Sequence, residues 1–257
     1  MKNILQSLWN KALPNQNKKI QRPFLIALFL LLPIMILWIV LFGNPFNYHP
    51  LKFGEIQEFQ GVYFSQPKPM LIVDPAYLPE EVAPEALLIG NNELSAESIL
   101  DKIKNKMGAI NGKRVRLRGR TASGDGKMII ELTELENTFL YVESDLTYPN
   151  RQTSPKPVVL GGEILDPKCW FAALKPAKGN IHKGCTTTAI RAGTPPLLKV
   201  DYNGRNVYYI IETNKEEGSI TSLIEFIAQP VQISGKVFYQ NGWNVLQTSI
   251  DQIRYLE

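Results

Sequence analysis

Cysteine and histidine are the scarcest residues of this 257-residue chain, with two of each. Two cysteines exclude a multi-thiolate cluster built by this chain alone. Acid is missing from the first 22 residues, and charge of either sign is missing from Pro23 to Gly43. Signatures of several enzyme classes are missing as well. There is no P-loop, no G-x-G-x-x-G, no G-x-S-x-G and no H-E-x-x-H, so no nucleotide site, serine elbow or zinc-protease helix is written in the chain.

What is present begins with the uncharged block. Pro23–Gly43 is long enough to cross about 30 Å of hydrocarbon as a helix. Pro33 in its middle is tolerated in a membrane helix, and Trp38 falls toward the far interface. Lys2, Lys11, Lys18, Lys19 and Arg22 precede it. Positive charge stays inside, so residues 1–22 are expected as a cytoplasmic arm, residues 23–43 as a single inner-membrane span, and the rest as periplasmic or extracytoplasmic. A cleaved signal peptide is the competing reading. Its apolar region runs about 7–15 residues and ends in small residues, whereas this run is longer and leaves through Phe42-Gly43-Asn44-Pro45.

The net charge of +4 is set by that arm, which holds 5 of the 28 basic residues and no acidic one. The exported remainder has 23 basic against 24 acidic residues. It carries no global basic field, and nucleic acid is not expected as a partner. Arg114, Arg116, Arg118 and Arg120 alternate along one strand. A polar barrel exterior, or contact with anionic lipid or a protein partner, accounts for them better than a phosphate track.

The exported region divides at residues 149–157, rich in proline and polar side chains, into halves 44–148 and 158–257. The halves repeat one unit. Val115, Leu117, Gly119, Gly126 and Ile130 recur as Val231, Ile233, Gly235, Gly242 and Leu246, always 116 positions on. Apolar–polar alternation marks strands there, and Gly124-Asp125-Gly126 and Asn241-Gly242 mark hairpin turns. Upstream of each hairpin is an amphipathic stretch. One is Ser98–Met107, with Ile99, Ile103 and Met107 on a face; the other is Ser219–Ala228, with Ile220, Leu223, Ile224 and Ile227. Three strands precede each: Gly61–Phe64, Met70–Val73 and Ala86–Ile89, then Val158–Leu165, Leu197–Val200 and Val207–Ile211. Three strands, a helix and two strands is the order of the OB-fold. The expected architecture is mainly β: an N-terminal transmembrane helix and two tandem OB-like five-stranded barrels. A single β-sandwich with two helices is the alternative, and the constant offset argues against it.

The halves differ in the connection between their first two strands. The first half has a short Gln66-Pro-Lys-Pro connection. The second carries Asp166-Pro-Lys-Cys-Trp-Phe, then Ile181-His-Lys-Gly-Cys, then Arg191-Ala-Gly-Thr-Pro-Pro, with both cysteines and one of the two histidines. This loop is a usual ligand-contacting loop of OB-folds. Gly162–Pro196 resembles the signature of a family of uncharacterised membrane-anchored bacterial proteins, G-E-I-x-D-x-K-C-aromatic, H-x-x-C and a G-x-P-P-like turn. The resemblance implies a bacterial inner-membrane protein in a redox or respiratory setting and supplies no known reaction. A further cysteine often follows in that pattern, where this chain has Ala189.

Four readings of the loop stand side by side. Cys169 and Cys185 form a disulfide, closing a loop of about 15 residues worth roughly 3 kcal/mol in the chain-entropy model. Alternatively, Cys169, His182 and Cys185, with Asp166 as fourth ligand, hold a metal ion. In the third, His182 and Lys183 activate Cys185 as a redox or nucleophilic thiol. In the fourth, both cysteines are packed and inert. Lys168, Trp170, Phe171, Lys183, Arg191, Pro195 and Pro196 complete a candidate binding loop. The leading functional expectation is a non-enzymatic, membrane-tethered accessory module that engages a protein partner of a redox complex through residues 166–196. A metal or haem carrier and a thiol oxidoreductase are the alternatives. The haem chaperone of cytochrome c maturation is similar in plan, an anchored OB-fold, but its histidine lies near the end of the barrel, and Gln247–Glu257 has none.

Overall fold

The computed structural model describes residues 31–32, 53–91, 94–132, 138–142, 147–172, 179, 182–213 and 219–256. Residues 1–22, expected as a cytoplasmic arm, and the expected span Pro23–Gly43 lie outside these, apart from Leu31 and Leu32. Among the described residues no helix is long and apolar enough to cross a membrane.

The chain folds as two closed five-stranded barrels in tandem. The first has β1 (Ile56–Phe64), β2 (Met70–Val73), β3 (Glu85–Ile89), helix α1 (Ala96–Met107), β4 (Arg114–Gly124) and β5 (Lys127–Glu131). Its strands pair in the order β1-β2-β3-β5-β4 and close through β1–β4. A further strand, β6 (Phe139–Val142), pairs with the start of β4. The second barrel has β7 (Lys156–Leu165), helices α2 (Pro167–Ala172) and α3 (Lys183–Arg191), β8 (Leu197–Tyr202), β9 (Arg205–Thr213), helix α4 (Ser219–Glu225), β10 (Pro230–Gln240) and β11 (Trp243–Thr248). It closes in the same order, and β12 (Ile253–Tyr255) pairs with the start of β10 as β6 does with β4. This is the OB connectivity expected from the element order. The sixth strands and helices α2 and α3 were not anticipated.

Glycine shows why the two units are copies. Gly119 on β4 and Gly235 on β10 lie against the backbone carbonyls of Glu131 and Gln247, where a Cβ would collide. Both the glycines and the carbonyls they meet are 116 residues apart. Gly61 and Gly162 serve β1 and β7 alike. Each is paired on one side with the fourth strand, to Val115 and Val231, and each is pressed by the second strand on the other. At the hairpins, Asp125-Gly126 and Asn241-Gly242 all have positive φ, the geometry of a two-residue turn that matches strand twist.

Helix α1 starts at Ser95, whose hydroxyl accepts the Ser98 N–H at 3.1 Å, and ends at Gly108 with φ of 81°. Ala96, Ile99, Leu100 and Ile103 face the first core. Met107 does not join them and is 43% exposed. Steps of four residues overrun the 3.6-residue turn, so the third member of the row rotates off the face.

The strands of the first barrel read as continuous apolar runs, M-L-I-V, A-L-L-I and M-I-I, the mark of strands buried on both sides. Leu71, Val73, Ala86, Leu88, Met128 and Ile130 fill the barrel. Their alternates Met70, Leu87, Ile89 and Ile129 point outward and pack with Leu165, Leu197, Ile210 and Trp243 of the second barrel. Ile164, Leu198, Ile211, Val231, Ile233 and Leu246 fill the second. The layout is therefore three cores, one per barrel and one between them, within the compact unit His49–Glu257.

The stretch 149–157 is tied to this unit. Asn241 accepts the Arg151 N–H at 2.9 Å and donates to Asn150 and to the Gln66 carbonyl of the first barrel. Strand β7 already begins at Lys156.

Candidate functional site

Strand β7 ends at Leu165, and Oδ1 of the next residue, Asp166, accepts the backbone N–H of Cys169 at 2.7 Å. Aspartate is a favoured helix cap and proline a favoured first residue, so Asp166-Pro167 starts α2. Every residue of α2 is buried, because it wedges against β4 and β5 of the first barrel.

Three contacts hold the wedge. Lys168 Nζ lies 2.6 Å from Glu131 Oε1, with both side chains almost completely buried. Arg120 grips the other oxygen of Glu131, its Nε at 3.1 Å. Trp170 Nε1 donates to the Tyr208 hydroxyl at 2.7 Å, and Tyr208 in turn donates to Asp125, which also accepts from Asn206 at 2.9 Å. Burial, then Asp125, pushes the Tyr208 hydroxyl well above the usual tyrosine range. Phe171 meets Tyr208 edge to face at 5.5 Å between centroids. Its ring covers Gly124, where a Cβ would come within 3.2 Å. The Lys199 ammonium sits 5.0 Å from the centre of the Trp170 ring.

The second barrel's hairpin provides another fastening. Trp243 Nε1 donates to the Glu85 carbonyl at 3.1 Å. Lys127 stacks over the Trp243 ring at 4.6 Å and reaches the Gly242 carbonyl at 3.4 Å. Burial lowers the Lys127 pKa, against the pull of Glu85.

Cys169 and Cys185 are joined as a disulfide, with Cα atoms 6.7 Å apart. The bond connects two environments. Cys169 on α2 is 2% exposed; Cys185, in the first turn of α3, is exposed. Helix α3 buries Thr186, Ala189 and Ile190 and turns Gly184, Cys185, Thr188 and Arg191 to solvent. Lys183 donates to the Glu225 carbonyl at 3.3 Å. The helix ends at Arg191, and the chain turns at Gly193, with φ of 91°, which packs on Ser95, the cap of α1.

The loop candidates therefore separate. Lys168, Trp170, Phe171 and Pro195 are buried, Pro196 is half-buried, and Lys183 and Arg191 remain at the surface. The four candidate metal ligands do not form one site. The disulfide consumes both thiolates, Asp166 is fully buried as a helix cap, and His182 is half-buried just before α3. Among the described residues no group of three His, Cys, Asp or Glu side chains is placed to hold a metal ion. Ala189, where the resembled family often has another cysteine, is packed in the underside of α3.

Asp166 is unusual electrostatically. Burial raises its pKa; the N–H groups of Cys169 and Lys168, the Thr186 hydroxyl and the Lys168 charge oppose the rise. Its Oδ2 accepts no hydrogen bond of good geometry.

The arginine stripe on β4 is matched by acids and amides. Arg114 pairs with Asp74 at 2.5 Å, Arg118 with Glu58 at 2.6 Å, and Arg116 donates to Gln60 at 3.0 Å.

Glu131, Asp125 and Tyr208 are partners of the loop that sequence reasoning missed. Glu131 left a trace, since it interrupts the apolar run M-I-I-E-L on β5. Asp125 was hidden because it doubles as a turn residue.

Compared with family models, with curated proteins and with solved structures, this chain gives no match.

Proposed function

We propose that this protein is a membrane-tethered, exported accessory module whose two barrels act as one body and present helix α3 to a protein partner in a membrane or periplasmic redox complex. The observation that carries this reading is the disulfide, which bolts an exposed helix to a wedge buried between the barrels. Such a helix is held in one orientation before a partner arrives, and pre-organisation lowers the cost of binding. The basic arm and uncharged block supply the tether, and a paired cysteine suits an oxidising compartment. The resemblance of Gly162–Pro196 to a family of membrane-anchored bacterial proteins supplies the redox setting. The matched arginine stripe fits a module that does not track nucleic acid.

Removing residues 166–196 would dismantle the interface and test nothing about binding. The informative variant changes only exposed positions: Thr188→Glu with Arg191→Glu. In-membrane crosslinking from a photoreactive group at Gly184 is expected to capture a partner in the unmodified chain and to lose it in the variant. Identical capture by both overturns the reading. A reporter enzyme active only outside the cytoplasm, fused after Glu257, is expected to be active; inactivity rejects the topology.

A metal or haem carrier is the weaker reading, because its two softest ligands are bonded to each other.

A further inference from the structure

The loop carries a chemical asymmetry that partner presentation does not require. Cys169 is enclosed on α2 and Cys185 is exposed on α3, so of the two cysteines only Cys185 is open to a thiol arriving from solvent. Cys185 also lies in the first turn of α3, where the helix N–H groups, with Lys183 two residues before it, favour negative charge.

The segments on either side of the bond also have attachments of their own. Helix α2 is held by Lys168 on Glu131, by Trp170 on Tyr208 and by Phe171 over Gly124. Helix α3 is held by Thr186, Ala189 and Ile190 beneath it and by Gly193 against Ser95. The Asp166 carboxyl touches both sides, capping α2 at Cys169 and facing the Thr186 hydroxyl next to Cys185. Here opening the bond leaves the two sulfurs close together, and closure remains an intramolecular step at high effective concentration.

The geometry points to a reversible thiol–disulfide exchange activity, in which the Cys169–Cys185 disulfide oxidises a dithiol of a partner protein through attack at Cys185. A partner thiolate attacks Cys185 Sγ. The Cys169–Cys185 bond breaks, its electron pair stays on Cys169, and a mixed disulfide joins Cys185 to the partner. The partner's second thiolate then attacks its own sulfur in that mixed disulfide and expels Cys185 as thiolate. The partner dithiol becomes a disulfide, its two electrons reside on Cys169 and Cys185, and its two protons replace the broken bond. This activity goes beyond the accessory reading and stands without it, for it depends on the bond rather than on Thr188 and Arg191.

Two measurements on the purified full chain test it. Glutathione is the monothiol probe for the first. Peptide mapping of the acid-trapped mixed disulfide is expected to find glutathione on Cys185 at least tenfold more often than on Cys169. In the second, dithiothreitol is added without denaturant and the thiols are alkylated and weighed. Complete reduction with unchanged near-ultraviolet circular dichroism is expected, followed by reoxidation to the same bond when the reductant is removed. Glutathione on Cys169 as often as on Cys185 overturns the proposal. So does a bond that resists dithiothreitol until denaturant is added, or one whose reduction abolishes the tertiary signal. Using the unmodified chain avoids cysteine variants that fail to fold. Identical crosslinking by the unmodified chain and by the Thr188→Glu, Arg191→Glu variant, with exchange intact, rejects only the accessory reading; crosslinking lost in the variant, with exchange absent, rejects only this one.

Discussion

Arg120 faces Glu131 in the first barrel, and Lys236 faces Gln247 in the second, at the same register between the fourth and fifth strands. In the first barrel the acid is buried with two cations on it. In the second, Lys236 and Gln247 are both exposed. The strand positions are equivalent and the environments are opposite. The difference comes from the enlarged loop of the second barrel, which lays Lys168 onto the first barrel and has nothing to lay on its own. Two units of one plan thus differ by one enlarged loop, and the inner half of that loop is interface.

The comparison breaks most visibly at Lys168. Lys168→Met leaves Glu131 buried with only the partly exposed Arg120, and a buried ion pair broken from one side costs about 3–5 kcal/mol. Denaturant unfolding is expected to show that loss. Adding Glu131→Gln, the residue type that the second barrel uses, is expected to recover most of it. No recovery in the double variant refutes the charge argument.

A second comparison expects equality. Gly119→Ala and Gly235→Ala each push a Cβ into a backbone carbonyl, so both are expected to destabilise by about 1–3 kcal/mol and by similar amounts. A large difference in unfolding midpoint shows that the barrels are not mechanical equivalents.

Asp166 sharpens the contrast through pH. Its folded pKa is raised chiefly by burial, so the native state holds that proton more tightly than the unfolded chain. Stability is full below the unfolded carboxylate value, about 4, and falls as pH rises through the folded value. Asp166→Asn keeps an oxygen for the Cys169 N–H and removes the ionisation. The variant is expected to lack this part of the decline when unfolding midpoints are compared from acid toward neutral pH. Parallel curves for the two proteins refute it.

The smallest effect is expected at the exposed pair. Lys236→Ala and Gln247→Ala should each change stability by no more than about 0.5 kcal/mol, as read by thermal melts. A loss comparable with that of Lys168→Met shows that this face is covered.

Much of each barrel was legible because its signals are local. Alternation located the strands, Asp125-Gly126 and Asn241-Gly242 located the hairpins, and the constant offset identified the repeat. The cysteine pairing was one of four open readings, and only the fold reduced them. The three candidate binding residues on α2 are buried, and the sequence hid this for a physical reason. Trp170, Phe171 and Lys168 look the same in sequence whether they await a ligand or seal an interface, since an aromatic anchor serves both. The runs M-L-I-V and A-L-L-I did announce a second buried face; what covered it was not written beside them.

By itself the sequence determined the uncharged block with its basic flank, the duplicated strand order and the turn positions, all of which depend on near neighbours along the chain. Tertiary structure alone decided that Cys169 is enclosed while Cys185 is open, and that Glu131 meets Lys168 across 37 positions. It also decided that the decorated loop joins two barrels into one body. Those outcomes depend on which surfaces meet, and burial is a property of the pair of surfaces, not of either stretch of chain.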